Sequence, residues 1–170
     1  MEKFYTGKVH LFDKDISTDQ IYPGQYLELV KPDEIAEHCL EGADPDFSTK
    51  INKGDIIVAS TNFGCGSSRE HAVITIKTAG IGVIVAESFA RIFYRNAINL
   101  ALPLLVCPGI SSRVKTGDRI SVDIRTGEIE NLTTGVKVQG EQLSEYAMQI
   151  MENGGIKEIF RKRTAAQKSI

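Results

Sequence analysis

From Phe4 to Phe12 apolar and polar residues roughly alternate, the period of a half-buried strand. The next stretch, FDKDISTDQIYPGQYL, is crowded with Asp, Ser, Thr, Pro and Gly and reads as loop and turns. Asp33 then reads as a helix N-cap, with Ile35, Ala36, Cys39 and Leu40 on one face and Gly42 at the end. The segment ADPDFSTKINKG reads as loop. Residues 55–59 (DIIVA) are a short apolar run rich in β-branched side chains, hence a buried strand. After TNFGCGSS the pattern predicts a helix over 69–78 that stops at Gly80, and a second buried strand over 81–86. A helix over 87–100 places Phe89, Ile92, Phe93, Ala97 and Leu100 at core spacing, and Pro103 introduces a third apolar run, LPLLV. Buried strands alternating with helices predict parallel pairing through right-handed crossovers.

The pattern then changes. DRISVDI and EIENL flank RTG, and VKVQG follows TTG, which predicts an antiparallel meander with tight turns. A last amphipathic helix presents Leu143, Tyr146, Ala147, Ile150 and Met151 on one face and ends at Gly154-Gly155. The tail RKRTAAQKSI is polar and basic, and residues 164–170 are expected to fray into solvent. With no internal repeat and no linker, residues 1–170 read as one α/β domain.

Composition narrows the function. At 170 residues, 42% hydrophobic and 25% charged, the chain can bury a core without staples. A net charge of −2 offers no general field for nucleic acid or anionic lipid, and 7% aromatic residues offer few stacking platforms for RNA. Cys39, Cys65 and Cys107 lie far apart and no C-x-x-C occurs, which argues against a disulfide framework or a cysteine-only metal site in this chain. The histidines His10 and His38 are isolated and read as ordinary strand and helix residues rather than metal ligands. The first residues lack the apolar core of a signal peptide, and no run is long enough to span a bilayer, so a cytoplasmic protein is expected.

The candidate chemistry sits in NFGCGSSREH, between a buried strand and a helix, where open α/β sheets place ligands. Its glycines allow tight turns and close backbone approach. Ser67 and Glu70 have capping-box spacing, which would aim free backbone N–H groups at an anion while Arg69 adds a carboxylate-gripping fork. The plainer reading, Ser67 as a mere cap and Arg69 as a surface charge, stays open on these residues alone. Sharper motifs fail: a P-loop needs Lys where Ser67 stands, and a dinucleotide fingerprint needs Gly where Arg69 stands. A nucleophile elbow needs glycines at alternate positions around the serine, which Gly66-Ser67-Ser68 lacks.

NFGCGSSREHA, with the earlier DKDISTDQIYPGQYL and the later ESFARIFYRNAINLALPLL, strongly resembles the small subunits of isopropylmalate isomerase and homoaconitase. These correspond to the swivelling C-terminal domain of single-chain aconitases, and the motifs span nearly the whole chain in the right order. The resemblance implies an aconitase swivelling-domain-like three-layer β/β/α fold with mixed parallel and antiparallel strands. It implies a hydro-lyase that dehydrates a 2-hydroxy di- or tricarboxylate and rehydrates the alkene, moving the hydroxyl. It also implies a large partner subunit whose [4Fe–4S] cluster, held by three cysteines, is the Lewis acid for the departing hydroxyl. No cofactor is then bound by this chain, and self-association of the isolated subunit stays open. By motif, Ser67 corresponds to the serine base, and Ser68 and Arg69, with Gly66, to the substrate-binding residues. Thr18 and Asp19 fall in a supporting active-site loop.

A helix dipole contributes at most about 2 kcal/mol, or about 1.5 pKa units, far too little to ionise a serine at neutral pH. Arg69, amide donors and a water-poor interface with the large subunit must supply the rest, so the isolated chain is expected to be inactive.

The loop after Pro23 is where such proteins choose substrates. Homoaconitase-like chains tend to read Tyr-Leu-Arg-Thr there; this one reads Tyr26-Leu27-Glu28-Leu29. A glutamate repels a third carboxylate, which favours an alkyl-substituted malate: isopropylmalate first, with leucine biosynthesis as the pathway, then dimethylmalate or citramalate. A homoaconitase-type relative and a non-catalytic carboxylate-binding module are the alternatives.

Overall fold

β1 (Phe4–Phe12) divides its hydrogen bonds between two neighbours in the computed structural model, which describes residue 2 and residues 4–169. Its first half runs antiparallel to β5 (Arg119–Asp123), with Tyr5 opposite Val122 and Gly7 opposite Ile120. Its second half runs parallel to β2 (Ile56–Ala59), with Val9 opposite Ile56 and Phe12 opposite Ala59. Parallel pairing continues through β3 (Val83–Ala86) to β4 (Leu104–Val106), and antiparallel pairing through β6 (Glu128–Asn131) to β7 (Lys137–Gln139). The result is one mixed seven-stranded sheet, β4-β3-β2-β1-β5-β6-β7, the mixed α/β architecture that the sequence predicts.

Every residue of β2 and β3 is buried, because both faces of this part of the sheet are covered. The crossover helix α4 (Glu70–Thr78) buries Ala72, Val73 and Ile76, and α5 (Arg91–Asn99) buries Phe93, Ala97 and Ile98. Each fully buried Ile, Val or Phe contributes about 1.5–3 kcal/mol, so the ends of β2 and β3 are firmly anchored. β1, β2 and β3 run parallel here, so the loops that follow them gather at one end of the sheet.

Several local expectations are corrected. The turn-rich stretch contains a short helix, α1 (Thr18–Ile21), with a full capping box: Ser17 accepts from the Gln20 N–H and the Gln20 side chain accepts from the Ser17 N–H. Next comes α2 (Pro32–Ala36), capped by Lys31 rather than Asp33, because proline's fixed φ and missing N–H suit the first turn. It is only five residues long, and Cys39 and Leu40 are buried from the turns that follow it. The loop after it holds α3 (Phe47–Lys50), whose Phe47 is buried edge-on against His10 and Phe12. α5 begins at Arg91, not residue 87: Phe63 and Phe89 form an isolated bridge that holds residues 88–90 extended, and the Glu87 carboxylate accepts from Ser60 and the Gly109 N–H. In α6 (Glu145–Glu152), capped by Ser144, Ala147, Ile150 and Met151 are buried while Tyr146 faces solvent. The basic tail forms α7 (Ile156–Lys168), a helix with no fully buried residue; Ile170 lies outside the described residues.

Candidate active site

Two loops are zipped together where β1 and β2 end. The Gly64 N–H donates to the Ile16 carbonyl at 2.7 Å, the Thr18 N–H to the Cys65 carbonyl at 2.8 Å, and the Thr18 hydroxyl to the Ser67 carbonyl at 2.7 Å. Both loops also contain a non-glycine residue in the left-handed region, Asp15 at φ 55° and Asn62 at φ 61°. Such a conformation costs about 1–2 kcal/mol for an L-residue. Here the two braces face each other: the Asn62 side-chain amide donates to the Asp15 carboxylate at 2.9 Å, and the Asp15 N–H donates to the Thr61 carbonyl.

Glycine is required inside this zipper. Gly64 has φ 85°, and a Cβ there would lie 2.2 Å from the Phe93 ring. Gly66 has φ 94°, which turns the chain outward just before the two serines. Ser67 and Ser68 are consequently exposed.

The capping box expected at Ser67 and Glu70 does not form. Arg69 is the N-cap of α4, with φ −134° and no side-chain cap, and Glu70 is the first helical residue. The physical reason is the Thr18 bond to the Ser67 carbonyl, which draws residues 66–68 toward α1 and delays the helix. The anion-binding expectation is changed rather than removed. Among the described residues no acceptor meets the backbone N–H groups of residues 66–70, so they stay available beside the positive end of α4.

Arg69 turns across the second loop. Its Nη1 donates to Asp19 at 2.7 Å and to the Tyr22 carbonyl at 3.1 Å, while Nη2 lies over Gly24, 3.3 Å from where a Cβ would stand. Its remaining N–H groups make no hydrogen bond to the described residues, so part of the fork is free for a ligand. The Arg69 bond, backed by the Gly24 N–H, holds the Asp19 carboxyl below the ordinary carboxylate range.

A cavity of about 290 Å³ exists elsewhere, on the outer face of the antiparallel strands, but the chemistry gathers in a smaller one of about 180 Å³. That cavity brings together Thr18, Gly66, Ser67, Ser68 and Arg69 with Arg91, Ile92 and Asn96 of α5. Arg91 and Asn96 go beyond the residues that the sequence motifs mark; their signal lies in FARIFYRN, where an arginine opens the helix after β3. Asp19 borders the site through Arg69. The stretch Tyr26-Leu27-Glu28-Leu29 lies outside the cavity's lining, beyond Gly24 and Arg69. Leu27 and Glu28 are exposed, Tyr26 and Leu29 half-buried.

Cys65 lies half-buried in the zipper, whereas Cys39 and Cys107 are buried, and burial pushes the Cys39 thiol up to about 12. Among the described residues no group of three or more His, Cys, Asp or Glu side chains could hold a metal ion, and these separated thiols do not fit an iron–sulfur cluster. His10 pairs with Asp55 at 2.8 Å in the core, and no helix is long and apolar enough to cross a membrane among the described residues.

Residues 40–108 match the family described as the aconitase C-terminal domain. The small subunit of an isopropylmalate/citramalate isomerase from Methanocaldococcus jannaschii is 52% identical, over 97% of this chain and 98% of that one. A methanogen homoaconitase small subunit from Methanothermobacter thermautotrophicus is 46% identical, over 95% of this chain and 94% of that one. The crystal structure of a 3-isopropylmalate dehydratase chain from M. jannaschii superposes with a TM-score of 0.92 at 41% identity, covering 98% of both.

Proposed function

The chain belongs to the aconitase family of dehydratase small subunits, and on that premise we propose that it serves a heteromeric hydro-lyase acting on an alkyl-substituted malate. The foremost activity is that of 3-isopropylmalate dehydratase, interconverting 2- and 3-isopropylmalate in the cytoplasm for leucine biosynthesis. One observation carries this reading: an exposed Ser67, a partly free Arg69 fork and the N–H groups of residues 66–69, unpaired among the described residues, meet in one cavity.

In this reading Arg69, Ser68 and the amides around Gly66 hold a substrate carboxylate, and the Ser67 hydroxyl oxygen takes a proton from the carbon beside the one bearing the hydroxyl. Thr18 and Asp19 hold Ser67 and Arg69 in place. The large subunit, not this chain, holds the [4Fe–4S] cluster. Because Ser67 is exposed in the single chain, only a partner surface can exclude the water that keeps its hydroxyl a weak base.

Identity does not separate substrates here, since relatives named for citramalate and for homoaconitase are nearly equally similar. The discriminating residue is Glu28, exposed and without a cationic partner among the described residues. Its charge disfavours a third carboxylate, and Leu27 and Leu29 beside it suit an alkyl group.

The test is co-purification with a cluster-bearing large subunit, followed by a diacid panel. A stoichiometric complex is expected, with activity needing both chains and isopropylmalate preferred over dimethylmalate and citramalate. Faster turnover of homocitrate or citrate would overturn the substrate assignment. Diacid binding by a chain that joins no such subunit would favour a carboxylate-binding module.

A further inference from the structure

The start of α4 grips both ends of the loop that follows Arg69's partners. At the near end, Arg69 donates to the Tyr22 carbonyl and its guanidinium lies over Gly24. At the far end, His71 donates its Nε2 proton to the Leu29 carbonyl at 3.2 Å, the carbonyl being able only to accept. The His71 ring also stacks on the buried Tyr22 ring, with centroids 5.3 Å apart and planes 17° apart. Two residues of one helix end thus fix a span whose only regular structure is the 3-10 turn Gly24–Tyr26.

A second clamp closes from α2's side. The Tyr26 ring lies flat on His38, with centroids 3.5 Å apart. One Glu41 carboxylate joins them, accepting from the Tyr26 hydroxyl at 2.8 Å and from His38 Nδ1. Burial raises the Glu41 pKa, but those two donors outweigh it and hold the carboxyl low, so the brace is a charged one. The Tyr22 hydroxyl completes it by donating to the Tyr26 carbonyl at 2.6 Å.

Because Nη2 of Arg69 lies over Gly24, any carboxylate held by the free part of that fork lies beside this span. Beside the exposed Gln25 and Glu28, the span presents two apolar side chains outward: Leu27 is 41% exposed and Val30 83%. We propose that His71 and His38 are positioning residues that set the distance between Arg69 and the Leu27–Val30 side chains, and so the size of alkyl substituent the enzyme accepts. This rests on the hydro-lyase reading above; neither histidine lines the cavity that contains Ser67.

The test uses the reconstituted two-subunit enzyme with malates carrying an isopropyl or a methyl substituent. His71→Ala and His38→Ala should each lower the isopropyl-to-methyl ratio of kcat/KM by about tenfold, the size expected for loss of one hydrogen bond with its ring stack. His71→Gln, which keeps an N–H donor, should restore part of the ratio. An unchanged ratio, or an equal fall with both substrates, would overturn the proposal. If the wild-type complex turns over neither malate, the hydro-lyase reading has failed instead. Amide hydrogen exchange of the isolated chain then tests the clamp alone. His71→Ala must speed exchange at the Leu27 and Leu29 amides, which bond to Gly24 and Tyr26, and leave β2 protected. Unaltered exchange at those two amides would also overturn it.

Discussion

The Thr18 hydroxyl donates to the Ser67 carbonyl at 2.7 Å across 49 positions of sequence, so the proposed base is held by the loop that follows β1. Replacing Thr18, which is buried, by the near-isosteric valine removes only that bond. Turnover by the two-subunit enzyme should fall about fivefold, in line with one lost hydrogen bond of about 1 kcal/mol, while the far-ultraviolet circular dichroism stays native.

Ser67→Ala leaves the backbone zipper intact and removes the only group assigned to proton abstraction. With the partner present, kcat should drop by about 10²–10⁴-fold while KM stays within a few-fold. Near-normal kcat would remove Ser67 from the mechanism.

Arg69→Lys keeps the charge but loses the fork. One ammonium cannot hold Asp19, the Tyr22 carbonyl and a substrate carboxylate in the same plane, so KM should rise by about 10–100-fold. Competitive inhibition by a non-reactive diacid should weaken in parallel.

Ser17 bears on stability alone. Ser17→Ala removes half of the capping box on α1, and the chain should lose about 1 kcal/mol, read as a lower urea midpoint at unchanged slope. The same change at Ser67 should cost far less, because Ser67 caps nothing.

Asp19 makes the Arg69 contact sensitive to acid. Arg69 and the Gly24 N–H hold its pKa below the ordinary value of 3.8. A group with a depressed folded pKa contributes stability above its unfolded pKa and loses it as pH falls through the folded one. Asp19→Asn should therefore be less stable than wild type at neutral pH, with the gap closing below about pH 4 in urea titrations. The gap should be small, since the carboxylate is largely exposed and solvent-screened.

Periodicity made the parallel half and the meander legible because those strands are either apolar throughout or strictly alternating, and nothing competes with the pattern. The misread elements are those that tertiary contacts decide. Residues 87–90 have a helical pattern but are drawn straight by Phe63, and Phe47 is too solitary in sequence to announce a buried helix. At the site, the residue types of Ser67, Ser68 and Arg69 were readable. The zipper was not, because a Ser-x-x-Glu spacing carries no information about a threonine that arrives from another loop and takes the carbonyl. The paired rings of Tyr26 with His38 and Tyr22 with His71 were equally hidden, since stacking leaves no periodic trace.

The shared strand β1 also sets a schedule for synthesis. On a ribosome, Val9–Phe12 meet their partner as soon as Ile56–Ala59 emerges, and the parallel half can close once Leu104–Val106 follows. The segment from Phe4 to Lys8 has to wait for Arg119–Asp123, leaving an open strand edge on the nascent chain until then. The order of translation therefore finishes the loop-bearing end of the sheet before the molecule has closed its far side, and a chain stalled between those two points would be the form most prone to pair with the wrong neighbour.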